Sequence, residues 1–346
     1  MFIFDENYFY NIVIKCDRNQ LLNIIKEKNL QYESFEIPKN DGMRVISAIK
    51  KNSQLVRLQK NLNSNLFSKI PLPVCVRGFV SGESYNSYLV EHIGKKFFLR
   101  ADISAFFDSI KKDTIISMLN EFISVINVIE QISEVVTLDD KLPQGAITSP
   151  SVSNLIFRRI DQRITKYCQE LNVTYTRYAD DMLFSSDKLN FNESTFFYAM
   201  IKKILKENGF ACNNKKKKIE IDEISLGGFV ISNDVHLSRK KLENINKLIY
   251  FFRKDKTFEK QKYLVDSLVF QDKHWLNEVN NLKLKENISF KCFSSNNQLI
   301  DYLCGYRAFI ISIVQANDNN TENIKQLRKK INNIEMIIEA IIKHST

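Results

Sequence analysis

Apolar and polar positions alternate along this chain in blocks whose period changes several times, and each change marks an element. Residues 1–30 carry apolar side chains at helical spacing beneath a basic, Asn-containing face and predict a helix. Ser34 to Ile49 predicts two strands about the turn Lys39-Asn40-Asp41-Gly42. Lys95 to Ile103 is a short apolar, aromatic run, which suits a buried strand better than a helix. Residues 109–135 predict helix, Pro143-Gln144-Gly145 breaks the chain, and Ser151 to Leu171 resumes as helix. Val173 to Ser185 predicts strand, turn, strand, with the polar pair Asp180-Asp181 between apolar arms. Asn192 to Asn208 predicts a helix stopped by Gly209, and Ile219 to Ile221 and Leu226 to Ile231 predict strands. From Ser238 onward the pattern is mainly helical, so the domain boundary is expected near 235.

In the last helix Ile324, Leu327, Ile331, Ile334, Ile338 and Ile341 share one stripe. Packing within the C-terminal segment is favoured for it over a seam for a second copy or an accessory effector protein. Composition then narrows the classes. At 346 residues and 44% hydrophobic, the chain can bury one large core or two adjoining ones, which excludes disorder as the main state. Basic and acidic side chains number 24 and 23 before residue 200, but 26 and 17 after it. A basic C-terminal part points to a polyanion partner, most often nucleic acid.

The six cysteines never approach CxxC spacing and the four histidines are equally scattered, which argues against a zinc site or a disulfide framework. The opening Met1-Phe2-Ile3-Phe4-Asp5-Glu6 lacks the basic start of a signal peptide, and no apolar run approaches the roughly 20 residues that span a bilayer. A cytoplasmic protein with no membrane partner is expected.

Three carboxylates carry the candidate chemistry: Asp102 after a buried strand, and Asp180 with Asp181 in the turn of a hairpin. Taken singly, these are a helix cap and ordinary turn chemistry. Brought together on one sheet, they suit a pair of hard divalent cations about 3.5–4 Å apart, which prefer oxygen ligands and leave positions for phosphate and water. Nucleotidyl transfer has that requirement.

The segments Asp102-Ile103-Ser104-Ala105-Phe106-Phe107-Asp108, Leu142-Pro143-Gln144-Gly145-Ala146-Ile147-Thr148-Ser149-Pro150 and Tyr178-Ala179-Asp180-Asp181 resemble, in order and spacing, the palm motifs of reverse transcriptases, and most of all bacterial retron-type enzymes and their phage-defence relatives. Phe35 to Lys39 with Gly42-Met43-Arg44 resembles the finger hairpin of that family. Gly209-Phe210 with Asn213 and Lys216 resembles the next palm motif, Leu226-Gly227-Gly228-Phe229 the primer-grip turn, and Leu303 to Arg307 a thumb segment. Retron enzymes usually carry Val-Thr-Gly where this chain has Leu226-Gly227-Gly228.

The resemblance implies an α+β right-hand polymerase: fingers and palm over 1–235, an antiparallel sheet packed on helices, and a mainly helical, basic thumb over 236–346 that binds nucleic acid. It implies Asp102, Asp180 and Asp181 as catalytic residues. Metal ligation falls to the same three and the Ile103 carbonyl, for two Mg²⁺ with Mn²⁺ as a substitute. It assigns the deoxynucleotide to Lys39 and Arg44 at the triphosphate, Phe107 against the sugar C2′, Gln144 and Gly145 beneath the nascent pair, and Lys216 at the pyrophosphate. The function implied is RNA-directed DNA synthesis on a specific noncoding RNA, through an RNA–DNA duplex, in antiphage defence or a retron-like element. The alternatives are template-independent or protein-primed DNA synthesis on the same scaffold, and a catalytically idle RNA-binding scaffold.

Overall fold

The computed structural model describes residues 5–39, 42–254, 276, 279–281, 292–316 and 322–343. The N-terminal stretch is broken where one helix is expected. A first short helix, α1 (Glu6–Tyr8), runs into a wide π turn over Phe9–Ile14, and α2 (Arg18–Lys26) follows. Lys15 takes a left-handed backbone, and the Asp17 carboxylate accepts from the N–H groups of Asn19 and Gln20, so a new helix is capped where the old one would have continued. Strands β1 (Tyr32–Lys39) and β2 (Gly42–Ile49) form the expected antiparallel hairpin, pairing Lys39 with Gly42 and Tyr32 with Ile49.

Helices α3 (Gln54–Asn65) and α4 (Tyr85–Val90) lead to β3 (Phe97–Asp102). The helix expected over 109–135 is two, α5 (Lys112–Leu119) and α6 (Ile126–Val136). Both turn an apolar face to one core, Ile115, Met118 and Leu119 from the first and Val128, Ile132 and Val136 from the second. Between them Val125 takes an extended backbone, at φ −92 and ψ 108, which breaks the run into two helices.

Then come α7 (Ser149–Glu170), β4 (Thr174–Tyr178), β5 (Asp181–Ser186), α8 (Thr195–Glu207) and β6 (Lys218–Ile221). The sheet order is β4-β5-β3-β6 with antiparallel neighbours throughout. This is the split βαβ arrangement, and it makes β3 a central strand flanked by the hairpin strand β5. The end of β3 therefore lies beside the β4–β5 turn.

Residues of this first compact unit are 5–91 and 95–222 in the main. A second unit begins at Glu223 and includes His92–Gly94. It opens with a three-stranded antiparallel sheet of β7 (Ile224–Leu226), β8 (Phe229–Ile231) and β9 (Val235–Leu237). The single strand expected over Leu226 to Ile231 is a hairpin instead, because the Gly227-Gly228 pair turns the chain. Helices α9 (Arg239–Lys254), α10 (Asn296–Ala316) and α11 (Glu322–Lys343) complete the described part.

On α11 Ile324, Leu327, Ile334 and Ile341 are buried, and α11 packs on α9 and α10. The expected stripe is thus used inside the unit. In this half the basic run Arg253-Lys254-Asp255-Lys256 is described only as far as Lys254, and Trp275 lies outside the described residues. Among the described residues no helix is long and apolar enough to cross a membrane.

Candidate active site

β3 places Asp102 in register with Asp181, the first residue of β5. Between β4 and β5 the chain turns through Ala179 and Asp180, with Ala179 at φ +57. The Asp180 carbonyl accepts from the Ile103 N–H (3.0 Å), and the Asp102 carbonyl from the Asn213 N–H (2.7 Å). Three segments distant in sequence are thereby stitched together at one end of the sheet.

A cleft of about 410 Å³ opens there, within the first unit. Asp102, Ile103, Phe107, Gln144, Asp180, Arg44 and Lys216 line it, so most of the residues singled out from the sequence converge. Asp102 is buried and receives the Lys216 ammonium on Oδ2 at 2.6 Å. Burial raises the pKa of Asp180, and the neighbouring Asp102 charge raises it further; Lys216 and Arg44 act in the opposite sense.

Asp181 is oriented differently. It does not line the cleft but holds a two-point pair with Arg100, whose Nε and terminal nitrogen donate to Oδ1 and Oδ2, each at 2.8 Å. Burial raises the Asp181 pKa despite that partner. Gly145 stands behind Gln144, against β2: the Ser47 N–H donates to the Gln144 carbonyl (2.9 Å), and a Cβ on Gly145 would stand 2.8 Å from the Ile46 side chain. Lys39 ends β1, and its side chain lies outside the described part.

The oxygen donors suit a hard cation. Two carboxylates, from Asp102 and Asp180, face one cleft that Ile103 also lines, and Mg²⁺ is typically held by one or two carboxylates with substrate phosphate and water filling the rest. Among the described residues no three Asp, Glu, His or Cys side chains form a ready-made metal cage, and Asp181 is engaged by Arg100. Like charges held close in a half-buried cleft call for added positive charge, which Lys216 and Arg44 supply only in part.

Residues not singled out from the sequence set this geometry. Arg177 is fully buried, as is Asp161 on α7, which its guanidinium grips at 2.7–3.1 Å; its third nitrogen donates to the Ala179 carbonyl at 2.9 Å. Tyr175 donates its hydroxyl to the same Asp161 (2.8 Å), and the Phe157 ring lies 4.7 Å from the guanidinium. The Asp180 turn is thus held from beneath. The parity of β3 could have flagged Arg100, two residues before Asp102 and so on the same face.

The family model for reverse transcriptase (RNA-dependent DNA polymerase) matches residues 37–262, which contain every cleft residue named above. The chain belongs to the reverse transcriptase family. Its curated relatives include the retron Se72 reverse transcriptase of Salmonella heidelberg, 26% identical over 72% of this chain and 68% of the relative. The retron Mx65 reverse transcriptase of Myxococcus xanthus is 25% identical over 70% of this chain and 61% of that one. The retron Ec48 reverse transcriptase of Escherichia coli is 29% identical over 55% and 49%. This reverse transcriptase therefore spans between half and about two thirds of those relatives' lengths.

Among solved structures, telomerase from Candida albicans with a fragment of telomeric RNA aligns at a TM-score of 0.44 and 13% identity, over 90% of this chain and 65% of that one. The foamy viral protease-reverse transcriptase with double-stranded DNA aligns at 0.41 and 16%, over 93% and 47%.

Proposed function

We propose that this reverse transcriptase is an RNA-directed DNA polymerase that copies a specific noncoding RNA in the cytoplasm, within a retron-like element or an antiphage defence system. The convergence of Asp102 and Asp180 on one cleft, facing Arg44 and Lys216, carries the reading. The retron enzymes among its relatives support the RNA template. In this reading the first unit serves as fingers and palm, and the second, basic and helical, as the thumb on the RNA–DNA duplex.

Two Mg²⁺ ions bound at this carboxylate pair would lower the pKa of the primer 3′-hydroxyl and neutralise the leaving pyrophosphate. The chain's own residues do the positioning. Arg44, on β2, supplies fixed positive charge for the triphosphate, joined by Lys39 from the paired strand. Lys216 Nζ holds the Asp102 carboxylate before substrate enters and, lining the same cleft, serves as the proton donor to the departing pyrophosphate. Phe107 walls the cleft where a 2′-hydroxyl would project, so ribonucleotides are refused by steric clash. Gln144 offers an amide beneath the nascent pair. Asp181, paired with Arg100, completes the acidic corner.

An idle scaffold has no use for two carboxylates held at mutual repulsion. Extension of oligo(dT) on poly(rA) with dTTP or rUTP tests the activity and its sugar preference together: dTTP should be incorporated far faster, and preference for rUTP would overturn the reading. Sequencing the nucleic acid that co-purifies from the native host should return one noncoding RNA joined to its DNA copy; a random RNA mixture would remove the specific template.

A further inference from the structure

Gly78 and Phe79 belong to no helix or strand, yet they lie against the Asp180 turn. A Cβ on Gly78 would stand 2.6 Å from the Ala179 nitrogen and 3.1 Å from the Tyr178 backbone. The N–H groups of Arg77 and Gly78 both donate to the Arg177 carbonyl, at 2.8 and 3.4 Å, and the Asn154 side-chain amide donates to the Gly78 carbonyl at 2.9 Å. With its neighbour fixed on every side, Phe79 is left at φ +61, a left-handed backbone that a bulky L residue adopts only under constraint.

The side chain recovers little for that strain, since Phe79 is 46% exposed. What it does touch is specific. Its ring centroid lies 6.4 Å from that of Phe107, inclined by 51°, and 6.3 Å from that of Tyr178. Phe107 meets Phe106 at 5.4 Å as well, so the ring that walls the cleft is flanked by Phe106 and Phe79. A steric barrier is only as high as the cheapest way around it, and an unsupported phenyl ring rotates out of the way.

We propose that Phe79 is a positioning residue for sugar selection: its strained ring backs Phe107 and stops it from swinging aside when a 2′-hydroxyl presses on it. This rests on the reading of Phe107 as the barrier to ribonucleotides. Phe79 does not line the cleft, and its ring neighbours are Phe107 and Tyr178; it acts through the stiffness of the ring in front of it.

The test is kcat/KM for dTTP and for rUTP on poly(rA)/oligo(dT), with thermal melting, for the wild type and for Phe107→Ala, Phe79→Gly, Phe79→Leu and Phe79→Tyr. Phe79→Gly should narrow the dTTP-to-rUTP ratio at least about tenfold, through a gain with rUTP rather than a loss with dTTP. It should melt within a few degrees of the wild type, because glycine accepts this φ. Phe79→Tyr, which keeps a ring, should restore the wild-type ratio. Phe79→Leu should fall between them, and it stands in for the glycine variant if that chain does not fold. A ratio unchanged in Phe79→Gly while Phe107→Ala narrows it would overturn the backing role and leave the barrier standing. An unchanged ratio in Phe107→Ala would overturn both. Equal losses with both nucleotides, accompanied by lower melting, would make Phe79 a purely structural residue and likewise end the proposal.

Discussion

At the scale of single residues, Gly145 and Arg177 show how narrowly the cleft is built. Gly145 has φ +121, and a Cβ there would also come to 3.0 Å from the Ser47 carbonyl oxygen, so β2 can approach Gln144 only over a bare backbone. Gly145→Ala should cost about 2 kcal/mol in a denaturant melt; an unchanged midpoint would mean that the close approach is dispensable. Arg177→Met leaves Asp161 charged, buried and without its partner, and should cost about 3 kcal/mol or more, with the Asp180 turn loosened as well. A loss under about 1 kcal/mol would refute that role.

These two residues differ in how well the sequence announced them. Gly145 sits in a recognisable Pro-Gln-Gly break. Arg177 reads from sequence as one more surface cation, and its partner lies sixteen positions earlier on another element, where no local pattern connects them. The acidic residues were legible for the opposite reason: a polar pair between two apolar arms, and a carboxylate closing a buried strand, are both local signals.

At the scale of elements, the hairpin β1–β2, the helix α7 and the β4–β5 hairpin followed from period alone, because each is a single run between clear stops. The N-terminal helix and the helix over 109–135 did not. Their apolar spacing is nearly continuous, and the breaks come from a left-handed Lys15, the Asp17 cap and an extended Val125, which tertiary packing decides.

One ion cluster braces these broken helices. Glu134 on α6 accepts from Lys28, just after α2, at 2.5 Å, and also from Lys112 on α5. Burial pushes the Glu134 pKa up, but Lys112 and Lys28 outweigh it and hold it below its ordinary value of 4.5. A lowered folded pKa contributes stability that is present above the unfolded value and is lost as pH falls through the folded one. Glu134→Gln should therefore melt lower than the wild type at neutral pH, and the gap should close as pH drops below about 4.5. A gap that is independent of pH would show that the charge of Glu134 contributes nothing.

At the scale of the whole molecule, the uneven charge is the main guide to the partner. Nine of the ten excess positive charges follow residue 200, in a stretch that includes all of the second unit from Glu223 onward. If those lysines and arginines neutralise phosphates, the logarithm of affinity for an RNA–DNA duplex should fall linearly and steeply with the logarithm of salt concentration. Binding that ignores salt would contradict a phosphate-tracking surface. Neither the split βαβ order nor the cleft could be read from that charge. They follow from the placing of β3 between β5 and β6, which carries Asp102 to the Asp180 turn.

If Asp102 and Asp180 together support nucleotide addition, single-nucleotide incorporation of dTTP on poly(rA)/oligo(dT) should depend on both, and Asp102→Asn and Asp180→Asn decide the matter. Each variant should lose at least about a thousandfold in rate while remaining folded, and Asp180→Asn should melt no lower than the wild type, since burial and the Asp102 charge both disfavour its ionised form. Incorporation within about tenfold of wild type by either folded variant would contradict that dependence.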